Sequence, residues 1–510
     1  MQKHSADLVI IGCGAAGLSC ALTALEAGSS VINIERSPKD IMGGNTRWTE
    51  ANLLLNGGPD QEGFELHDTF YMSYAMMNKG FHVDPDIEAE TVNDYENWSP
   101  LAKTTPFVDP ELLGTFAEAV PPTLEWLTQQ GVQINPKETE TIPFCLPTLP
   151  YVKIYGGGLS IIENLVPKIE AQGGEFLFET TAHKLIEENG TVVGVRCSGK
   201  DNETIEVYGK VVLASGGFEG NPQMLAQFGG QETRYMRPVA KGGHYNKGEG
   251  LRMAMDVNAC AAGDWSDCHQ QVVDPRTGLQ EAMVNVWPFG IMVNQKGERF
   301  MDEAPNNYFE WQEDVPAEIT RQPGGIGYII YDQKLEDDTE CGWKYGIRTD
   351  KPPVKADSLE ELAAYMMIPV AKLKKTVEDY NNACVNADKV NRMLGGFRDG
   401  AMDFEKIDIV NDQLFDGAGT EGVFPPKENY AAPIDTPPYY CYPAISSICF
   451  THGGLRTNGK AQVINSSGEV IPGLYAAGET VGMHYGVYTV GTSVLRGLCF
   501  GRIAAQHASA

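Results

Sequence analysis

The chain has 510 residues, is 42% hydrophobic, and carries 39 Lys+Arg against 68 Asp+Glu for a formal charge of −29. That length supports a large core and two domains, while the acidity excludes the basic footprint that nucleic acid or an anionic membrane surface requires. Eleven cysteines without CxxC, CxxCH or zinc-type spacing fit buried thiols in a reducing compartment, not a disulfide framework or an attached c-type haem.

The N-terminus, MQKHSADLVIIGCG, enters an apolar strand without the charged start, long apolar stretch and cleavage site of a signal peptide. No apolar run reaches the length of a membrane span, so a cytoplasmic protein is expected. The segment ADLVIIGCGAAGLSCALTALEAGSSVINIER then gives a buried strand, a glycine turn, a helix-period stretch and a second strand ending in Glu35. Gly12 suits the tight turn, Gly14 the approach of backbone to a pyrophosphate, and Gly17 close packing of helix on strand. The helix N-terminus favours phosphate, and Glu35 would hold ribose hydroxyls.

Further along, KDIMGGNTRWTEA stands where a plain NAD domain would start its next βα unit. YGKVVLASGGFEGN supplies a strand and a second glycine turn, and GEVIPGLYAAGET a third. GTSVLRGLCFGRIAA reads as a closing helix whose Gly497, Gly501 and Ala504 permit close packing. No second full dinucleotide fingerprint is visible, which argues against a dedicated NAD(P)H site.

These pieces resemble the fumarate reductase/succinate dehydrogenase flavoprotein superfamily, which also holds 3-ketosteroid dehydrogenases and tricarballylate dehydrogenase. The resemblance covers most of the chain and implies an α/β fold: a Rossmann-like FAD-binding domain with an inserted α+β capping domain. The implied FAD cradle comprises Gly12, Gly14, Ala16, Gly17, Glu35 and Arg36 in the first motif. Gly43, Gly44, Asn45 and Thr46 follow along the pyrophosphate and flavin edge, with Ala182 near the adenine. Ala214, Ser215 and Gly216 form the second turn, and Gly478 and Glu479 the ribityl contact. Ser493, Val494 and Leu495 would bring backbone amides to the flavin pyrimidine. Respiratory members attach FAD to a histidine just after the GGNT turn; here that stretch is Arg47-Trp48-Thr49, so non-covalent FAD is expected.

Since the FAD-binding pieces lie at both ends, the domains are expected at 1–264 and 437–510 for FAD binding and 265–436 for the cap. AAGDWSDCHQQVVDPRTG marks the exit and PPYYCYPAISSICFTHGGL the return. Between them, strands flank a turn at Lys296-Gly297. Two helices follow across 358–386, the first opened by Asp357/Ser358. The Gly-, Asp- and Pro-rich region 398–436 reads as a long surface excursion.

The resemblance also guides the chemistry. Fumarate reductases place arginines after the GERFMDE-like segment and in the glycine turn after AAGE, and a histidine before the GG of the return strand. Here APNNYFEW has no basic residue, Tyr488 or Thr489 stands at the second position, and Phe450 replaces the histidine. Without that cationic set, clamping a dicarboxylate is hard to support. The pattern Tyr488-x-x-x-Thr492 is instead similar to the segment with which 3-ketosteroid dehydrogenases hold a ketone oxygen. Tyr308 falls near the tyrosine that acts as their base.

The expected chemistry is therefore a hydride exchanged with FAD to introduce or reduce a C=C bond adjacent to a carbonyl, on a cyclic ketone, ketosteroid-like or oxo-acid substrate. A tricarballylate dehydrogenase- or fumarate reductase-like action on a polycarboxylate is the alternative, with Arg47, Arg456 or Arg496 supplying contacts. A tyrosine base needs help at neutral pH, and His484, His452 and His269 are candidates for it. Tyr485, Trp48 and Arg47 are candidate pocket residues, although Tyr485 and Tyr488 could equally pack the cap interface and Arg47 could pair with Glu50. The partners expected are a small carbonyl substrate and an external electron acceptor: a quinone, oxygen or a redox protein.

Overall fold

The structure, a computed structural model, describes residues 2–54, 109–135, 151–305, 308–338, 346–390, 397–398, 401–402, 416–486, 488 and 491–510. Its larger sheet has eight strands and is built around Gln2–Ile11. That strand lies parallel to Val31–Ile34 on one side and Thr204–Leu213 on the other. Glu175–Leu177 extends one edge in parallel, and Val470–Ala476 pairs parallel with the second half of Thr204–Leu213. The expected strand run Leu8–Ile11 is fully inside, whereas residues 2–7 continue it outward, residues 2–5 pairing with Ile205–Tyr208 ahead of a register shift between Ser5 and Leu8. An apolar run of four residues therefore marks only the buried half of a ten-residue strand.

Ala15–Glu26 follows the first strand, and the closing helix Ser493–Ala508 packs along it. The small residues do what their spacing implies: a Cβ on Gly501 would stand 2.2 Å from Ser19 Oγ and 2.3 Å from Ala16 O. One core runs from the buried strands through both helices to Ile448 and Phe450.

The second sheet has six strands centred on Tyr439–Thr451. Cys268–Val273, Gly327–Asp332 and Val354–Ala356 pair antiparallel with it, and Arg237–Pro238 pairs parallel. The strand expected to open the FAD-binding return at 437 is thus the spine of this second sheet, built with strands of the expected cap. Its last residues reach the FAD-binding half, where Thr451 N donates to Glu479 Oε1 at 2.8 Å. The turn at Lys296-Gly297 and helices Leu359–Met366 and Val370–Ala383 form where expected; Ser358 Oγ accepts from Glu361 N at 3.2 Å.

Region 398–436 departs from expectation. Its described part from 416 onward is not a surface excursion: Lys427, Asn429, Tyr430 and Ala431 are buried. Lys427 Nζ donates to the carbonyls of Pro288 (2.7 Å) and Gly290, and Asn429 Nδ2 donates to Ala304 O at 3.0 Å. Arg299, held by Glu303 at 2.6 Å, donates to Pro425 O at 2.7 Å. Polar anchors hold this segment, so hydrophobic periodicity carries no sign of it.

Candidate active site

One cavity runs from the first glycine turn to the seam with the cap. Its first half is lined by Gly12, Gly14, Ala16, Glu35 and Arg36, by Gly43 to Thr46, and by Ala182. Ala214 to Gly216, Gly478, Glu479, Ser493 and Val494 complete it. The elements explain the convergence, since the turns after Gln2–Ile11, Thr204–Leu213 and Val470–Ala476 end mutually parallel strands of the larger sheet, where α/β proteins bind ligands. Gly12 has φ +104°, and a Cβ there would lie 2.2 Å from Ala214 O, so the first and second turns touch through a residue that must lack a side chain. Gly17 does not line the cavity. It serves packing, with a Cβ position 2.0 Å from Gly12 O. Leu495 is buried in the closing helix, outside the lining.

The cradle suits a dinucleotide. Cys13 N and Ser37 N donate to the Glu35 carboxylate at 3.0 and 2.8 Å, which fixes an acceptor at the end of the second strand. Thr46 Oγ1 accepts from Ala15 N at 2.9 Å, tying the GGNT turn to the first helix. A Cβ on Gly44 would meet nothing within 4 Å, and Asn45 Oδ1 is buried in the wall with no hydrogen-bond partner. Asn45 Nδ2 donates to Glu219 Oε1 at 2.6 Å, as does Asn246 Nδ2 at 2.6 Å. Burial, with the Glu479 charge beside it, pushes the Glu219 carboxyl well up, and burial raises the Glu479 carboxyl too. Sequence reasoning missed Glu219, although it stands in the quoted SGGFEGN turn.

The second half of the cavity lies at the seam. His269, Gln271 and Val272 come from the exit strand, Pro316 from the helix Tyr308–Thr320, and Phe450 and Cys449 from the return strand. Tyr488, Met283, Trp287, Arg348, Glu281 and Glu50 complete it. His269 Nδ1 stands 2.7 Å from Oε1 of the buried Glu313, and Gln270 N donates to Glu313 Oε2 at 3.1 Å. Gln271 Nε2 faces His269 Nε2 at 3.3 Å. An amide donor there and a carboxylate at Nδ1 assign the tautomer with the proton on Nδ1 and a lone pair on Nε2. The ring of Tyr488 lies 4.5 Å from that of His269.

Tyr488 Oη accepts from Thr492 N and Ser493 N, both at 3.1 Å, and donates to Ser493 Oγ at 3.2 Å. The Thr492 amide, expected to hold a substrate oxygen beside Tyr488, is engaged by that hydroxyl. Burial pushes the Tyr488 phenol up, and the Ser493 hydrogen bonds oppose this. Tyr308 begins its helix, but its side chain and all of Thr489 lie outside the described residues.

His452 and His484 are fully buried and do not line the cavity; their rings lie tilted against Phe450, with centroids 5.7 Å away in each case. Burial, with neighbouring positive and imidazole groups, lowers both pKa values well below the ordinary range. Tyr485 Oη accepts from Gly263 N at 2.9 Å and so joins the last turn to the exit segment. Arg47 and Trp48 stand outside the lining, Arg47 over the Trp48 ring at 5.8 Å and donating to Met42 O. Glu50 pairs with Arg348, not with Arg47. Arg496 does line the cavity, fully buried, donating to Val481 O at 3.1 Å.

Glu313, Glu281 and Arg348 were not read from the sequence. They sit in irregular or ordinary helical stretches without a motif, and only the fold brings them to the seam.

Known proteins of this shape exist. The chain is 27% identical to the NADH:acrylate oxidoreductase of Vibrio harveyi, the alignment covering 99% of this chain and 50% of that protein; it thus spans about half that relative's length. It is 25% identical to the vinyl phenol reductase of Lactiplantibacillus plantarum, covering 100% and 97% of the two chains. Among solved structures, the open conformation of a flavocytochrome c3 fumarate reductase superposes with a TM-score of 0.71 at 23% identity, over 99% of this chain and 78% of that one. Among the described residues no helix is long and apolar enough to cross a membrane. A family model described as an FAD binding domain matches residues 7–494; the chain, with its glycine-lined cradle, belongs to that family, and its cofactor is FAD.

Proposed function

We propose that the protein is an FAD-dependent oxidoreductase that introduces or reduces a C=C bond next to a carbonyl, on a cyclic ketone, ketosteroid-like or oxo-acid substrate. Bound FAD supplies a site that accepts or gives a hydride. The observation that carries the reading is His269, paired with the buried Glu313 and standing beside Tyr488 in the cavity wall that continues directly from the FAD cradle. A desolvated seam between domains is where such a substrate would bind.

In the oxidising direction His269 Nε2, after the Gln271 amide turns from it, takes a proton from the carbon next to the carbonyl, and Glu313 steadies the imidazolium that forms; in the reducing direction the same nitrogen returns it. The buried Tyr488 hydroxyl, fixed at the start of the closing helix, is the donor for the carbonyl oxygen. That assignment requires the hydroxyl to turn from Ser493 Oγ. Phe450 and Trp287 offer flat apolar walls. FAD is held without a covalent bond, since the stretch after the GGNT turn offers Arg47, Trp48 and Thr49. Electrons pass to or from an external partner: a quinone, oxygen or a redox protein. The relatives named for acrylate and vinyl phenol support a C=C substrate, whereas a polycarboxylate would need contacts from Arg496 or Arg348.

The test is anaerobic mixing of the FAD-loaded protein, oxidised or reduced, with saturated and unsaturated cyclic ketones, steroid ketones and polycarboxylates, following the visible flavin band. Bleaching or recovery with ketones supports the proposal, and a response to polycarboxylates alone overturns it.

A further inference from the structure

We propose that Glu50 and Glu281, linked through Arg348, set the substrate specificity of the cavity: they turn away ligands with a carboxylate at that end and admit neutral or cationic ones. The inference rests on the reading of the seam as the substrate site, and narrows it.

Three separate segments meet here. Glu50 follows the GGNTRWT turn of the FAD-binding half, Glu281 lies beyond the exit strand, and Arg348 belongs to a stretch tied to residues 283 and 285. Arg348 N donates to Met283 O at 2.9 Å and Asn285 N to Gly346 O at 2.9 Å, which fixes the arginine's backbone. The guanidinium engages Glu50 with two nitrogens, Nη1 at 2.7 Å from Oε1 and Nη2 at 2.8 Å from Oε2. Glu281 Oε2 stands 3.6 Å from the same Nη1.

Two carboxylates thus share one cation, and the cation's forked face is already taken by the bidentate pair. An incoming carboxylate must break that pair or enter a patch whose charge is negative when both acids are ionised. The other cations among the described lining residues are placed elsewhere. Arg36 donates to Tyr245 O and Glu249 at the nucleotide end, and Arg496 sits in the first turn of the closing helix. A neutral group with an N–H or O–H, or a cation, meets carboxylate oxygens that can accept from it. Discrimination of this kind comes from a repulsive element as much as an attractive one.

Benzoate, benzamide and benzamidine share a ring and differ in charge at one end, so they read this selectivity whatever the reaction catalysed. Each is titrated into the FAD-loaded protein at about pH 8 while the visible flavin absorbance is followed. Wild type is expected to bind benzamide and benzamidine at least about tenfold more tightly than benzoate. In the E50Q/E281Q variant that ratio falls to about threefold or less, and in Arg348→Met it widens. The single variants E50Q and E281Q, checked for full FAD content, give intermediate ratios and cover the case of a double variant that fails to fold. Equal affinities in wild type, a ratio unmoved by either substitution, or no spectral response to benzamidine would each overturn the proposal. Failure of the C=C reading appears separately, as absence of flavin turnover with ketones.

Discussion

His269 Nδ1 and Glu313 Oε1 stand 2.7 Å apart, both buried, on an exit strand and a cap helix that meet at the seam. The carboxylate fixes the ring and its tautomer, and Nε2, which accepts from Gln271 Nε2 at 3.3 Å, is the nitrogen for proton transfer once that amide turns away. Replacing His269 by Gln keeps a polar side chain but removes that base. Flavin reduction or reoxidation by substrate, measured by rapid mixing, is expected to slow by about 10²–10⁴-fold with FAD content unchanged. Glu313→Gln should lose less and should shift the pH profile of the rate; an unchanged rate in His269→Gln removes the histidine from the mechanism.

The glycine turn gives a second prediction. A Cβ on residue 12 would overlap Ala214 O at 2.2 Å, and its φ of +104° disfavours any side chain. Gly12→Ala must push the first and second turns apart just where the pyrophosphate would lie. The purified variant is expected to be colourless, or to bind added FAD at least about a hundredfold more weakly by fluorescence quenching. Gly28→Ala has nothing within 4 Å of its Cβ but shares a positive φ, so it controls for backbone strain alone.

These two predictions mark how far the sequence was legible. The dinucleotide cradle could be read because Gly12, Gly14, Gly17 and Glu35 are consecutive in one βαβ unit, so spacing along the chain mirrors spacing in space. The closing helix was legible for the same reason, through the period of Gly497, Gly501 and Ala504. His269 could be named but not ranked, because Glu313 lies 44 residues away on an element with no motif. His452 and His484 stand in quoted motifs, yet the fold turns them behind Phe450. The anchored segment around Lys427 was misread because its ties are hydrogen bonds from lysine, arginine and asparagine.

That anchored segment supports a prediction on stability. Arg299 and Glu303 form an ion pair whose side chains are 3% and 0% exposed, beneath the chain at Pro425 and Pro426. Removing one partner leaves a buried charge, so Arg299→Met should destabilise by about 3–5 kcal/mol. The double variant R299M/E303L should recover part of that loss, because no charge is stranded. Thermal unfolding of the FAD-loaded forms checks both. A double variant no more stable than Arg299→Met would show that the contacts to Pro425 and Pro426, not the ion pair, hold the segment.

Glu281 makes the seam sensitive to pH. Burial raises its carboxyl to about 7, the Glu50 charge adds to this and Arg348 opposes it; the Cys449 thiol nearby is pushed well up and stays protonated. Below about pH 7 Glu281 carries a proton, and the Glu50–Arg348–Glu281 group is neutral overall. Above it, the group carries one net negative charge. Benzoate should therefore gain affinity relative to benzamide as pH falls from about 8 to 6, and this ratio should stay flat in Glu281→Gln. The stability sign follows from linkage: a carboxyl raised in the folded state holds its proton more tightly there. Its ionisation thus costs folding free energy as pH rises from the unfolded value near 4.5 through about 7. The difference in melting temperature between Glu281→Gln and wild type should accordingly shift in favour of the variant between about pH 4 and pH 8. A ratio that is flat in wild type, or a shift of opposite sign, would show that Glu281 is not the group titrating at the seam.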